Sequence, residues 1–443
     1  MLVALVLLFI FSLIWFFCRR NDKKIYDDVS ITFHKHDVDV DVVIVGAGPV
    51  GMLLANSLIK QGLRVKILEK RKDRSQFLSR AIGIHPPSLQ IFEKIDPQLV
   101  QTLKQKSVCV NHAVVLGNDR TKVIGELNIE LCNKPFNFIL ACPQSVSENA
   151  LEESLHRTIQ SSNCSENGTI RSAKVVGIDS KNKRFASVKY EISDGTTHEI
   201  KCHFVVGCDG KNSFVRSECG IKLDGRSYFD TFLMGDFSDN TSYGQSAAIF
   251  LGNDFMVECF PLPNGVRRWV CSTETQIEKP DLQEFCGMVK KRTLYDISKQ
   301  ENFMLSSYGV HGFVAQSMYD HSHRVILAGD AAHQCSPLGG QGMNLGWDDA
   351  WNLSLTIKRV INGDSNINQD IHEYDKIQRR KALAIIHRAE FNMILGRKPS
   401  LIKLRNYFVK TLLASYRPVQ TVVAKYFTMR YIGNVSFGRF VGV

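Results

Sequence analysis

Apolar and polar positions along this chain change period several times, and the changes outline its elements. In VDVDVVIVGAGPVGMLLANSLIKQGLRVKILEK, Val40 to Val45 alternates and then runs apolar, as a buried strand does. Gly46-Ala47-Gly48-Pro49-Val50-Gly51 turns the chain, Met52 to Gln61 has helical spacing, and Leu63 to Leu68 is a second strand that ends in Glu69. HFVVGCDGKNSFVRSECG, residues 203 to 220, is an apolar strand closing on Gly207-Cys208-Asp209-Gly210, followed by a helix start with Ser213 and Arg216. RVILAGDAAHQCSPLGGQGMNLGWDDAWNL repeats the plan: strand Val325 to Ala328, then Gly329-Asp330, then a glycine-rich loop feeding a helix that carries Asp349, Ala350 and Leu353. Residues 225 to 275 break into short strands at Asp-Asn-Thr-Ser, Gly-Asn-Asp and Pro-Asn-Gly, which predicts an antiparallel sheet to which residues 112 to 140 add strands. Beyond Leu353 the pattern is helical.

The first stretch differs from all of these. Met1 to Cys18 carries no charge and precedes Arg19, Arg20, Lys23 and Lys24. As a helix it spans roughly 27 Å, near the thickness of a thin bilayer. It has neither a basic n-region nor a small-x-small cleavage site, and Phe16 and Phe17 before Cys18 spoil a lipoprotein signal. The expectation is an uncleaved transmembrane anchor, with the positive flank keeping the rest of a single-pass protein on the cytosolic side, at the endoplasmic reticulum in a eukaryote. The sequon Asn167-Gly168-Thr169 would then stay unglycosylated.

Composition adds exclusions. With 443 residues and 44% hydrophobic content the chain can bury a large core in two or three units. Its net charge of +11 is spread without a basic block, which argues against a nucleic-acid partner. The 12 cysteines show no CxxC pair and no metal spacing with histidine, so they read as reduced thiols and no metal site is expected.

The glycines of the first turn carry chemistry. The first permits the tight turn, the second lets a pyrophosphate approach the backbone, and the third lets the helix pack on the strand. Glu69 stands where an acid accepts hydrogen bonds from an adenosine ribose. Strand, glycines, helix, strand and acid together form a dinucleotide fingerprint, which does not distinguish NAD from FAD. Asp209 has two readings, a ligand-facing residue or a cap for the next helix. Three acid-tipped strand ends converge on one ligand if the strands are neighbours.

Together these stretches resemble the class A flavoprotein monooxygenases, the family of p-hydroxybenzoate hydroxylase, phenol hydroxylase and the ubiquinone-pathway hydroxylases. The resemblance covers roughly residues 38 to 395 and rests on GxGxxG with its acid, GxDGxxSxxR, and GDAAHxxxPxxGxGxNxGxxDAxNL between Gly329 and Leu353. It implies FAD as cofactor, with NADPH or NADH as co-substrate. It implies that Gly46, Gly48 and Gly51, in one turn with Pro49 and Val50, receive the pyrophosphate, and that Glu69, beside Lys70, receives the adenosine ribose. Arg80 would reach the pyrophosphate and Gln144 would help hold the cofactor. Asp209 and Gly210 would lie between FAD and the nicotinamide, and Asp330 would bind the ribityl chain. Gly340, Gly342, Met343 and Asn344 would present amides to the isoalloxazine. A helix N-terminus there suits the negative charge of a reduced flavin, glycines let the ring lie against the backbone, and Pro337 would hold the entrance loop extended.

The resemblance further implies that a C4a-hydroperoxyflavin, formed with O2, hydroxylates an aromatic or other lipophilic small molecule. No catalytic base is assigned. His333 is a weak candidate against a reading as a structural histidine, and His85 and Tyr228 are weaker. Phe250, Phe255, Phe260 and Trp269 read as core rather than pocket. The expected fold is α/β, a Rossmann-like FAD-binding domain interleaved with an antiparallel-sheet substrate domain, a helical C-terminus and the N-terminal transmembrane helix. The expected boundaries are an anchor at 1–18 and a linker at 19–37; 38–111, 141–224 and 319–365 for the FAD-binding domain; 112–140 and 225–318 for the substrate domain; and 366–443 for the helical region. Residues 400–443 would either lie on a membrane as a cationic amphipathic surface or pack back on the core. Alternatives are a reductase of a prenyl or isoprenoid lipid like the geranylgeranyl reductases, and a non-catalytic flavin-binding scaffold. The oligomeric state is left open.

Overall fold

The computed structural model describes residues 33–73, 81–397, 409 and 417–433, apart from 133, 183, 254 and 338. A seven-stranded sheet is built on Val40–Val45, all six residues buried. This strand lies parallel to Val65–Glu69 on one side and to Thr197–Gly207 on the other. The long strand Thr197–Gly207 is shared: its first half pairs antiparallel with Ala186–Glu191, and its last three residues pair parallel with Val325–Leu327. The register sets Val45 beside Gly207 and Gly207 beside Leu327. The strand ends leading to Asp209 and Asp330 are therefore neighbours, with the Glu69 end one strand away across Val40–Val45, all at the edge where open parallel sheets bind ligands.

Apolar runs fit the central strands, which are buried along their length, with helix Pro49–Lys60 packed on them. Helix Pro49–Lys60 packs against helices Gln144–Ser161 and Gln341–Asn362. Trp347 is fully buried, donates Nε1–H to the Pro49 carbonyl at 3.2 Å and meets the Phe92 ring edge-on. Within the sheet, buried Asp41 is matched by Arg64 at 2.9 Å.

An eight-stranded sheet runs in the order His333–Gln334, Asn302–Ala315, Leu223–Ser238, Val266–Thr273, Met256–Leu262, Ala247–Leu251, His112–Leu116, Val123–Asn128. One face packs Phe237, Phe250 and Trp269 with Phe285 of helix Leu282–Thr293. Phe250 and Trp269 are thus core, whereas Phe260 alternates to the opposite face and lines a cavity. Residues 139–141 join a separate three-stranded sheet with Gly83–Ile84 and Val108–Val110 instead of the large one.

Several expectations shift. The first helix begins at Pro49, because proline suits a first helical turn, and the second strand is Val65–Glu69. The helix after the glycine-rich loop is followed by Ile367–Arg397. Of the C-terminal stretch, helix Arg417–Phe427 packs back on the body: Ala424 is fully buried, and Arg388 donates to the Tyr426 carbonyl at 2.8 Å. The membrane localisation is corrected. Among the described residues no helix is long and apolar enough to cross a membrane, and the anchor expected at 1–18 lies outside those residues.

Candidate functional site

The turn after Val45 is shaped by contact. Gly46 sits at φ +104°, and a Cβ there would lie 2.6 Å from the Cys208 carbonyl oxygen; one on Gly51 would lie 2.1 Å from the Gly46 oxygen. Gly48 differs, since a Cβ there meets nothing within 4 Å and its backbone is ordinary extended chain. It caps the helix without a side-chain acceptor, so the first-turn N–H groups point their partial positive charge at open space. Gly46, Gly48, Pro49 and Val50 line the cavity there; Gly51 lies behind, at the helix–strand contact.

Glu69 also braces this turn. It is buried, and its carboxylate accepts from the Ala47 N–H at 2.8 Å and from the Arg71 N–H at 2.9 Å and Nε at 3.0 Å. Burial pushes its pKa up, but these donors outweigh that and hold it below the ordinary value. Lys70 and Gln144 line the same end of the cavity, with Gln144 donating to Glu148 at 2.8 Å. Arg80 lies outside the described residues.

Asp209 caps the next helix, as one of its two readings has it. Its carboxylate accepts from Ser213 Oγ at 2.5 Å and from the Phe214 N–H at 2.7 Å, while Asp209 and Gly210 (φ +81°) still line the cavity. Asp330 is otherwise. Its side chain opens on the cavity and makes no hydrogen bond among the described residues. Burial raises its pKa.

The glycine-rich loop has its own supports. Gly339 and Gly340 sit at φ +76° and +64°, so the chain reverses and the Gly340 N–H returns to the Pro337 carbonyl at 3.0 Å. Pro337 therefore starts a tight turn; the extended loop expected of it is not found. Gly340 caps helix Gln341–Asn362 without a side chain, and Gly340, Gly342 and Met343 line the cavity. Asn344 does not. Its side chain accepts from the His85 N–H and Ser88 Oγ, each at 2.8 Å, and donates to the Gly83 and Gly340 carbonyls at 2.8 and 2.7 Å. His85 Nε2 lies 2.9 Å from the Gly339 carbonyl, and burial lowers its pKa to about 4, so it donates as a neutral ring.

His333 is turned away from the cavity, fully buried, with Nε2 2.6 Å from Asp349 Oδ2. Tyr228 donates to Glu390 at 2.6 Å and lines no part of the cavity. The geometry thus brings together the glycine turn, Glu69, Asp330 and the helix start at Gly340, and leaves His333 and Tyr228 outside.

The cavity of about 840 Å³ continues from these residues to the eight-stranded sheet, where Met234, Ile249, Glu258, Phe260, Arg268 and Val270 form a wall. Sequence reasoning missed Glu258 and Arg268. Their signal was present: in MVECFPL a carboxylate occupies the same alternation as Met256 and Phe260, a charge where an inward face calls for apolar side chains.

Residues 39–389 match the FAD binding domain family. The chain is 29% identical over 330 residues to rifampicin monooxygenase of Streptomyces venezuelae, covering 73% of this chain and 65% of that protein. It is 31% identical over 338 residues to rifampicin monooxygenase of Rhodococcus hoagii, covering 73% and 64%. The chain thus spans just under two thirds of the length of these relatives. In fold it is similar to p-nitrophenol 4-monooxygenase PnpA from Pseudomonas putida DLL-E4, with a TM-score of 0.79 at 22% identity over 91% of this chain and 99% of that one.

Proposed function

This chain belongs to the FAD binding domain family, and from that premise we propose that it is an FAD-dependent monooxygenase that uses NAD(P)H and O2 to hydroxylate an aromatic or other lipophilic molecule. The observation that carries this reading is the continuity of one cavity from the glycine turn to the apolar sheet wall. A cofactor held at one end meets a substrate held at the other.

The residues fit FAD. The space over Gly48 is open where a side chain would otherwise stand, the first-turn amides above it have no cap, and Asp330 points an unpartnered carboxylate at the middle of the cavity. Gly46 and Gly48 would admit the pyrophosphate to the helix N-terminus. Glu69 would accept a ribose hydroxyl in place of its longest contact, the 3.4 Å hydrogen bond from Arg71 Nη2. Asp330 would accept hydrogen bonds from the ribityl hydroxyls. The amides opening helix Gln341–Asn362 would stabilise negative charge on the ring. When bound, FAD supplies electron transfer from NAD(P)H to O2 and delivery of one oxygen atom to the substrate. Met234, Ile249, Phe260 and Val270 would exclude water at that end. The hydroxylases and monooxygenases among the relatives, one of them pentachlorophenol 4-monooxygenase of Sphingobium chlorophenolicum, support the aromatic reading.

The test is a flavin spectrum of the purified protein during anaerobic NADPH and NADH addition, with and without a panel of phenols, followed by isotopic oxygen analysis of products. Bleaching that phenols accelerate, with one labelled oxygen in product, is expected. A protein that neither retains nor takes up FAD, or that oxidises NAD(P)H without oxygenating any aromatic, overturns the reading.

A further inference from the structure

Strand register shows which residues share the cavity face of the eight-stranded sheet. Glu258 stands opposite Val270 on one neighbouring strand and Ile249 on the other, and Val270 stands opposite Met234. Two residues along on that face, Phe260 stands opposite Arg268. One carboxyl thus sits amid apolar side chains in the middle of the wall.

No neighbour compensates it. Arg268 grips Asp236 through Nε to Oδ1 at 2.6 Å and a terminal nitrogen to Oδ2 at 2.7 Å. The Glu258 side chain has no hydrogen-bond partner among the described residues. Its pKa is raised to about 7 by burial alone, with no cation close enough to offset it. Ionisable groups lining the same cavity include Arg268 with its Asp236 partner and Tyr308 from the sheet, His85, Cys335 and Asp330 from the glycine-loop side, and Asp209, Glu69, Lys70, Arg71, Glu148 and Lys174 around the glycine turn. Half-buried and facing the cavity, this carboxyl has no protein donor, so a ligand that excludes water there must satisfy it.

We propose that Glu258 is the substrate-binding carboxylate of this site, accepting the hydroxyl proton of a neutral phenolic substrate. This rests on the monooxygenase reading above. A phenol supplies the missing donor while its ring covers Ile249, Val270 and Met234. An aromatic carboxylate would meet a like charge, and the guanidinium on that wall is already engaged by Asp236. An arylammonium would require two full charges to lose water together, which costs more than a single charge accepting a phenol hydrogen bond. In the step itself the phenol O–H bond breaks, the proton joins a Glu258 oxygen, and the electron pair left behind enriches the ring at its ortho and para carbons. No electron is gained or lost. The proton returns to the product oxygen. A base that titrates near neutrality suits this transfer.

The test compares binding of 4-nitrophenol and its methyl ether, 4-nitroanisole, to flavin-loaded wild type, Glu258→Gln and Glu258→Asp between about pH 6 and 8. The anion band of nitrophenol reports proton loss directly. Wild type should prefer the phenol by about tenfold, most clearly at about pH 8 where the carboxyl has given up its own proton, and hold the bound phenol neutral to higher pH than free solution does. Glu258→Gln should remove both effects while keeping its flavin and its affinity for the ether, and Glu258→Asp should keep part of each. An unchanged phenol-to-ether ratio in Glu258→Gln overturns the assignment, as does tighter binding of 4-nitrobenzylammonium than of nitrophenol. These are binding measurements, so they stand apart from the turnover experiment: oxygenation with an unaltered ratio sinks only the role of Glu258.

Discussion

His333 and Asp349 meet 2.6 Å apart with neither side chain exposed, and the same Asp349 oxygen accepts the Gly329 N–H at 2.9 Å. One carboxylate therefore ties helix Gln341–Asn362 to the strand end that presents Asp330. Replacing His333 with Ala leaves that carboxylate buried without its counter-charge and should cost about 3–5 kcal/mol, read by denaturant unfolding. His333→Gln, which keeps a donor, should recover part.

That pair also sets a pH dependence. Burial lowers the His333 pKa, but Asp349 outweighs it and holds the imidazole well above its ordinary value. The stabilisation from this pair should be complete below about pH 6.5 and decline only as pH rises through the raised folded value. A melting-temperature series in His333→Gln should lack the alkaline decline that wild type shows from this source.

Gly48 and Gly51 should separate cofactor binding from folding. Gly51→Ala puts a methyl group into the Gly46 carbonyl and should destabilise the flavin-free protein by about 1–3 kcal/mol or more. Gly48→Ala has room in the protein and should leave flavin-free stability within about 0.5 kcal/mol, yet weaken FAD by about tenfold. Equal FAD affinity in Gly48→Ala, by fluorescence titration, would remove the pyrophosphate from that position.

Asp330→Ala should weaken FAD by about tenfold or more while leaving the flavin-free fold intact. Because burial raises the Asp330 pKa, the flavin-free protein should lose stability as pH climbs from the ordinary carboxylate value to the raised one. Asp330→Asn should flatten that segment of the curve.

Glu258 makes a similar prediction with a midpoint near neutrality. The folded state holds its proton up to about pH 7, whereas an unfolded chain releases it near the ordinary glutamate value of 4.5. Stability from this group should fall across that window as pH rises. Glu258→Gln should melt higher than wild type at about pH 8 and equally at about pH 4, a comparison made on the flavin-free protein.

Periodicity made the sheet edge legible. The apolar strands around Val45, Gly207 and Leu327 end in glycine and acid, and the register sets them side by side. Side-chain assignments were less legible, because a motif fixes a position and not what the atoms turn toward. Asp209 spends its carboxylate on a helix cap, Asn344 on a buried knot with His85 and Ser88, and Pro337 on a turn. Of these motif residues, Asp330 keeps its carboxylate open to the cavity. Glu258 was missed because its meaning is two-dimensional: one acid in a strand reads as a solvated face until neighbouring strands show which side the alternation occupies. Residues 1–18, the loudest hydropathy signal, lie outside the described residues, among which no helix is long and apolar enough to cross a membrane.

The shared strand Thr197–Gly207 has a consequence for how the protein comes into being. Its partners at the site, Val40–Val45 and Val325–Leu327, are separated by most of the chain, and parallel pairing over such distances is slow because the loop must close before contacts reward it. A ribosome has to release the chain past Leu327 before that residue can dock beside Gly207. The cradle thus exists only once strands far apart in sequence have met, and a cofactor that binds it stabilises the assembled fold by mass action.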